Sequence, residues 1–321
     1  MIRGLARQVR DTAIARVGPS AVVLTYHRVA DLASDPQLLA VSCANFASQA
    51  EVLSKRFRVV PLAELVEGVR SRSLVDGAIA ITFDDGYADN LENAAPVLAA
   101  HGLPATVFVS SGYLGSDREF WWDDVERIVL ADELGRHWNA LEPPSTTAQR
   151  EYLDLMRVIH NAPAHEREAT LSAARERFGI HPEARASHRP MTDDEAARLA
   201  AIPGIDIGGH TVDHEVLSAL SPERQAETIA SDRNALESVT RSAVATFSYP
   251  YGQRGDFTRE TERMVAEAGY AGAVANYPGL VKTWTDPYRI PRFVVRDWDA
   301  PEFARRIDAW FAGSVHKADA S

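Results

Sequence analysis

An unbroken apolar run, Ala78-Ile79-Ala80-Ile81-Thr82-Phe83, stops on two adjacent carboxylates, Asp84 and Asp85, followed by Gly86. Few folds accommodate such a segment. A strand apolar on both faces belongs in a parallel sheet covered on both sides. Its polar end then lies at the carboxyl edge of that sheet, where α/β folds assemble their sites. Gly86 frees the backbone to turn away. Two neighbouring carboxylates there repel each other and lose hydration, and a cation bound by one relieves both problems. The same pair would also serve as an ordinary cap for a following helix.

A second polar cluster supplies what the first lacks. The strand-like Gly204-Ile205-Asp206-Ile207-Gly208-Gly209 leads into His210-Thr211-Val212-Asp213-His214. If that turn is helical, the i, i+4 spacing puts both imidazoles on one face. Two histidines and one carboxylate form a zinc-type set that leaves a coordination position open for water. Taken alone, the pair reads equally as surface or capping histidines.

The rest of the chain alternates strand-like and helical patterns. Strand-like runs occupy 21–26, 78–83, 105–110, 205–208, 244–248, 271–275 and 292–296. Helical patterns cover Asn45 to Phe57 with Asn45 as cap, Leu62 to Val69, Tyr87 to His101, Pro222 to Thr240, Thr258 to Ala268 and Pro301 to Phe311. Such alternation predicts a parallel sheet, hence the α/β class. From Phe120 to about Arg189 the pattern is mainly helical. It reads as an insertion at about 113–190 of a single domain spanning 1–321, opened by Trp121 and Trp122.

Thr82-Phe83-Asp84-Asp85-Gly86 and His210-Thr211-x-x-His214, with Phe247-Ser248-Tyr249-Pro250-Tyr251-Gly252 as a third element, resemble the polysaccharide deacetylase family (NodB-like, carbohydrate esterase family 4). The resemblance covers roughly 20–110 and 190–295 and implies a distorted (β/α) barrel of about seven strands. It implies Asp85, His210 and His214 as metal ligands, Asp84 as the base that deprotonates the attacking water, and the Tyr251 N–H as a donor to the oxyanion. It also implies that Pro250 and Tyr251 line the active groove, with the insertion on the catalytic rim of the domain and Trp121 and Trp122 placed either to stack on a sugar ring or to anchor the insertion. The chain departs from the pattern where an Arg normally orients the base, because Ser248 stands there. Arg292, in Arg289-Ile290-Pro291-Arg292-Phe293, is the candidate substitute, through a bidentate grip on Asp84. The usual C-terminal histidine acid is also missing. His27, which closes the run Ala21–Tyr26, is the candidate replacement as proton donor or substrate contact. Some relatives resemble a circular permutation with this early element, and first and last strands of a barrel are neighbours. Asp297-Trp298-Asp299 matches another family element loosely and reads equally as a turn.

Composition bounds the partners. The net charge, 34 − 45 = −11, argues against nucleic acid and anionic lipid as partners. One cysteine, Cys43, permits no intrachain disulfide and reads as a small half-buried residue. No stretch approaches the ~18 apolar residues of a membrane span. Residues 1–16 carry four arginines but lack an apolar core of signal-peptide length. They read as a helix packed on the barrel, or one touching a membrane surface. The expectation is a zinc-dependent enzyme removing N-acetyl or N-formyl groups from an amino sugar. The substrate would be a cell-envelope or exopolysaccharide precursor, lipid-linked or nucleotide-linked, handled in the cytoplasm or at the membrane periphery. Hydrolysis of a cyclic amide or imide, O-deacetylation, and glycan binding without catalysis are the competing readings.

Overall fold

A computed structural model describes residues 17–131, 138–180 and 185–314. The elements run β1 (Ser20–Tyr26), α1 (Cys43–Arg56), α2 (Leu62–Arg70), β2 (Ala78–Phe83), α3 (Ala95–His101) and β3 (Ala105–Val109). The insertion follows with α4 (Trp121–Val129), α5 (Thr147–His160) and α6 (Ala164–Phe178). Then come α7 (Asp193–Ala200), β4 (Ile205–Gly209), α8 (Pro222–Thr240), β5 (Thr246–Ser248), α9 (Arg259–Glu267), β6 (Gly272–Val274), β7 (Phe293–Val294) and α10 (Ala300–Phe311). The helix expected over residues 1–16 lies outside the described residues.

Strands β1 to β6 pair in parallel in chain order, with Tyr26 beside Phe83 and Val109 beside Gly209. The far edge closes through one short segment. Ile290 bridges Val274 of β6, and Phe293 and Val294 pair with Leu24 and Thr25 of β1. The sheet thus curls into a distorted (β/α) barrel of seven strands. Successive side chains of a strand alternate faces. On β2, Ile79, Ile81 and Phe83 join the outer core with α1, while Ala78 and Ala80 face a second cluster with Ala21, Val23 and Phe108. Leu62, Leu65, Val66 and Val69 of α2 pack into that second cluster, at helical spacing. Each such side chain, fully buried, contributes roughly 1.5–3 kcal/mol.

Two helix boundaries differ from expectation for identifiable reasons. Ser42, not Asn45, caps α1, its hydroxyl accepting from the Asn45 N–H, while the Asn45 amide is engaged by Asp297 at 2.7 Å. The helix expected from Tyr87 is regular only from Ala95, after a π turn over Asn90–Ala94. Pro96 is the cause. Proline lacks an N–H and crowds the carbonyl four residues back, so it is accommodated in a first turn and not within a long helix. Asp297 and Asp299 serve turn and cap roles, Asp299 accepting from Glu302 N–H at 2.9 Å.

The insertion has its own aromatic core. Phe120 stacks between Tyr113 (4.4 Å) and Trp122 (5.0 Å), and Tyr152, Ile159 and Leu171 complete the cluster from α5 and α6. No helix among the described residues is long and apolar enough to cross a membrane.

Candidate metal centre and active site

The inward row of β2, Ala78, Ala80, Thr82, continues past the strand end to Asp84. The Asp84 N–H still donates to Tyr26 O at 3.0 Å, which holds the turn to the sheet edge. Asp85 then adopts φ +77° and Gly86 φ +91°. A Cβ on Gly86 would meet Val109 Cγ1 at 2.9 Å, so only glycine fits there. Left-handed backbone at a non-glycine costs about 1–3 kcal/mol and persists only where the surroundings enforce it. Thr211 (φ +65°), His214 (+51°) and Tyr251 (+59°) share this feature, so four such residues cluster at one end of the barrel.

The two histidines do not share a helical face. Residues 210–214 form an irregular loop, and its left-handed turns bring the rings together at 4.8 Å. His210 Nδ1–H donates to the Ser248 carbonyl at 2.7 Å, which leaves Nε2 as the lone-pair nitrogen. The Nε2 atoms of His210 and His214 lie 3.6 and 3.4 Å from one oxygen, Asp85 Oδ1. Ligands about 2.1 Å from a tetrahedral cation lie roughly 3.4 Å apart, so this set fits a cation of zinc size. All three residues are buried.

Beside them, Arg292 Nη1 and Nη2 reach the two oxygens of Asp84 at 2.7 and 2.6 Å. The same guanidinium donates to Thr82 Oγ1 (3.0 Å), Ser248 Oγ (3.0 Å) and the Ala275 carbonyl (2.9 Å). Ser248 and Arg292 thus fill the space around Asp84 together. Burial opposes ionisation of Asp84, yet the charge and hydrogen bonds of Arg292 prevail and hold its carboxyl below the ordinary range. Arg292 is fully buried behind Asp84 and does not line the cavity.

That cavity, of roughly 420 Å³, is lined by Asp84, Asp85, His210 and His214 at its floor, with His27 and Tyr251 beside them. Burial pushes the His27 imidazole below its usual value, against the pull of Asp85 and Asp84. The Tyr251 ring packs on His214 at 4.7 Å and its phenol accepts from Trp121 Nε1–H at 3.0 Å. No described residue accepts from the Tyr251 backbone N–H. Trp122 packs edge-on to His214 at 4.8 Å and its Nε1–H donates to Tyr87 Oη at 2.7 Å. Both tryptophans are almost wholly buried and both line the cavity, so they anchor the insertion and form its wall at once. Pro250 does not line the cavity. It is buried at the end of β5, and its carbonyl closes a tight turn onto Gly252 N–H at 2.6 Å.

Three contributors were not singled out from sequence. Asp232 of α8 is fully buried and accepts from the N–H groups of His210 (2.8 Å) and Ser111 (3.0 Å), pinning the histidine loop; burial raises its carboxyl to about 7. Its signal was a carboxylate on the buried stripe of α8, with Gln225, Thr228, Ile229 and Leu236. His160, at the end of α5, packs on Tyr251 at 4.3 Å. Arg296 lines the cavity two residues past β7.

A second buried group, Asp123, Glu126 and His188, also brings three ligand-type atoms together. Here arginines supply the positive charge. Arg185 Nη2 lies 3.0 Å from Glu126 Oε2, and Asp123 accepts from Tyr87 Oη at 2.6 Å. Burial, then the charges of Arg28, Arg185 and Arg127, drive His188 down to about 2.

The polysaccharide deacetylase profile matches residues 72–161 and 165–273. The YxkH protein of Bacillus subtilis strain 168 is 22% identical over 214 residues, 67% of this chain; the chain spans about half the length of that curated relative, 50%. Among solved structures, the fold resembles IcaB from Ammonifex degensii (TM-score 0.61, 20% identity, 92% of this chain and 98% of that one). It also resembles the deacetylase PplD of Streptococcus pyogenes in complex with acetate (TM-score 0.61, 15% identity, 91% and 99%). With the barrel, the acidic turn and the paired histidines in place, the profile match over more than half its length makes this chain a member of the polysaccharide deacetylase family.

Proposed function

We propose that this protein is a metal-dependent hydrolase that removes an N-acetyl or N-formyl group from an amino sugar. The observation that carries the reading is the pairing of Asp84 with Arg292, directly beside Asp85, His210 and His214, whose carboxylate pairs with no described arginine. Asp85, His210 and His214 would hold the divalent cation, zinc by donor chemistry. Such a cation supplies Lewis-acid polarisation of the amide carbonyl and of a water molecule. Asp84, kept ionised by Arg292, takes the proton from the attacking water. The Tyr251 N–H, unclaimed by other described groups, is aimed at the oxyanion role. His27 delivers a proton to the leaving nitrogen or contacts the sugar. Trp121 and Trp122 bound the sugar site from the insertion side, so barrel and insertion act as one catalytic unit. The negative charge of the chain agrees with a saccharide partner and not with nucleic acid. Placement in the cytoplasm or at the membrane periphery, and action on an envelope or exopolysaccharide precursor, belong to the same reading.

The test is acetate or formate release from a panel of N-acylated sugars by protein stripped of metal and then restored with zinc. Release that returns with zinc and falls about 10²–10⁴-fold in Asp84→Asn supports the reading. Zinc-independent release, or an Asp84→Asn protein with full turnover, overturns it. His27→Ala is expected to keep its metal and lose turnover.

A further inference from the structure

The arginine in the cavity wall has no described carboxylate partner of its own. Asp84 is matched by Arg292, and Asp85 faces the two histidines. Asp256 is tied to the Gln253 N–H at 2.7 Å. Arg296 is left. Among the described residues lining the cavity it is the one arginine, and no lysine lines it. Its Nη1 donates to the carbonyl oxygens of Gln37 (3.3 Å) and Leu38. No described carboxylate lies within ion-pair distance of it. Asp35, the one carboxylate whose charge acts on it, spends its oxygens on the N–H groups of Leu39 (2.9 Å) and Ala40 (2.8 Å). A half-buried guanidinium is costly to leave without a counter-charge, and its planar fork matches a carboxylate or a phosphate.

We propose that Arg296 receives an anionic group of the substrate, so that the preferred substrate is an N-acyl amino sugar bearing a phosphate or carboxylate, not a neutral chain. This rests on the deacetylase reading for the identity of the sugar, but not for the anion site itself. The sugar faces are left to the apolar sector, Leu39, Trp121, Trp122 and Met156. The competing role for Arg296 is mechanical, pinning the loop around Gln37 and Leu38.

The test compares kcat/KM for N-acetylglucosamine with that for N-acetylglucosamine 1-phosphate, and for chitobiose with that for a disaccharide of N-acetylglucosamine and glucuronic acid. The zinc-loaded wild type should prefer one anionic member of these pairs, and which pair responds tells phosphate from carboxylate. Arg296→Gln should lower that preference roughly 10- to 100-fold, with Arg296→Lys retaining part of it. No preference in the wild type, or the same preference in Arg296→Gln, overturns the proposal and leaves only the loop-pinning role. A calorimetric titration of the wild type with glucosamine and with glucosamine 1-phosphate needs no turnover. Tighter binding of the phosphate, lost in Arg296→Gln, supports the anion site even if no sugar is deacylated and the catalytic reading fails. Equal affinity for the two, together with equal affinity for chitobiose and the glucuronate disaccharide, overturns the anion site even if deacylation is found.

Discussion

Two buried groups of carboxylates and histidine lie on either side of Trp122. They are built from the same donor types and solve the charge problem in opposite ways. Around Asp123, Glu126 and His188, Arg185 approaches Glu126 directly and two further arginines act on the histidine. Around Asp85, His210 and His214, no described arginine pairs with the carboxylate. Arg292 is committed to the neighbouring Asp84, and Arg167 donates to the His214 carbonyl and adds to burial in pushing its imidazole down, without pairing with Asp85. A carboxylate–histidine cluster answered by guanidinium is a structural hub, and one left unanswered with its lone pairs converging is equipped for a cation.

Metal stoichiometry is the most direct way to break this contrast. The purified protein should bind one zinc ion per chain by plasma mass spectrometry. His210→Ala should bind almost none, with activity at background, and Asp123→Asn should still bind one. Two ions in the wild type would collapse the distinction. Next in size is the proposed base, Asp84. Arg292→Met leaves a buried, unpaired Asp84 and should cost about 3–5 kcal/mol in denaturant unfolding. Arg292→Lys should retain the charge but lose the two-pronged grip, and so recover only part of the turnover. Asp232→Asn sharpens the contrast from one shell further out. It should weaken zinc binding about 10- to 100-fold in a chelator competition, since Asp232 fixes the backbone of a ligand.

The smallest effect belongs to the arginine-answered hub and is read in pH. His188 is held neutral down to about 2 in the fold, against an ordinary value near 6.5 when unfolded. The unfolded chain therefore binds the extra proton between those limits, so stability falls as pH drops below about 6.5. His188→Gln should make the acid-side decline in Tm shallower. Asp123 and Glu126, raised by burial, act with the opposite sign and lose stability as pH rises.

Sequence pattern located all seven strands because each is a short, largely apolar run; the structure adds Ser20 and Gly209 to two of them, keeps Ala78–Phe83 as expected and shortens the other four. Local pattern also located the acidic turn and the histidines. Their loop geometry was not legible, because left-handed φ at Thr211 and His214 comes from tertiary packing and not from residue type. Arg292 could be named only because Ser248 stood in an unexpected place, and 208 residues separate it from the carboxylate it grips. Asp232 and Arg296 escaped for a related reason. Their meaning lies in what faces them across space, and nothing adjacent in the chain announces it.

The seam of the barrel has a consequence in time. The proposed ligands Asp85, His210 and His214 precede the seam residues Ile290–Val294 in order of synthesis, so the whole donor set is made before the guanidinium that orients Asp84. If those residues hold a cation, the donor set is made first and the group that orients Asp84 last, and joining the last strand to the first is what brings the two together.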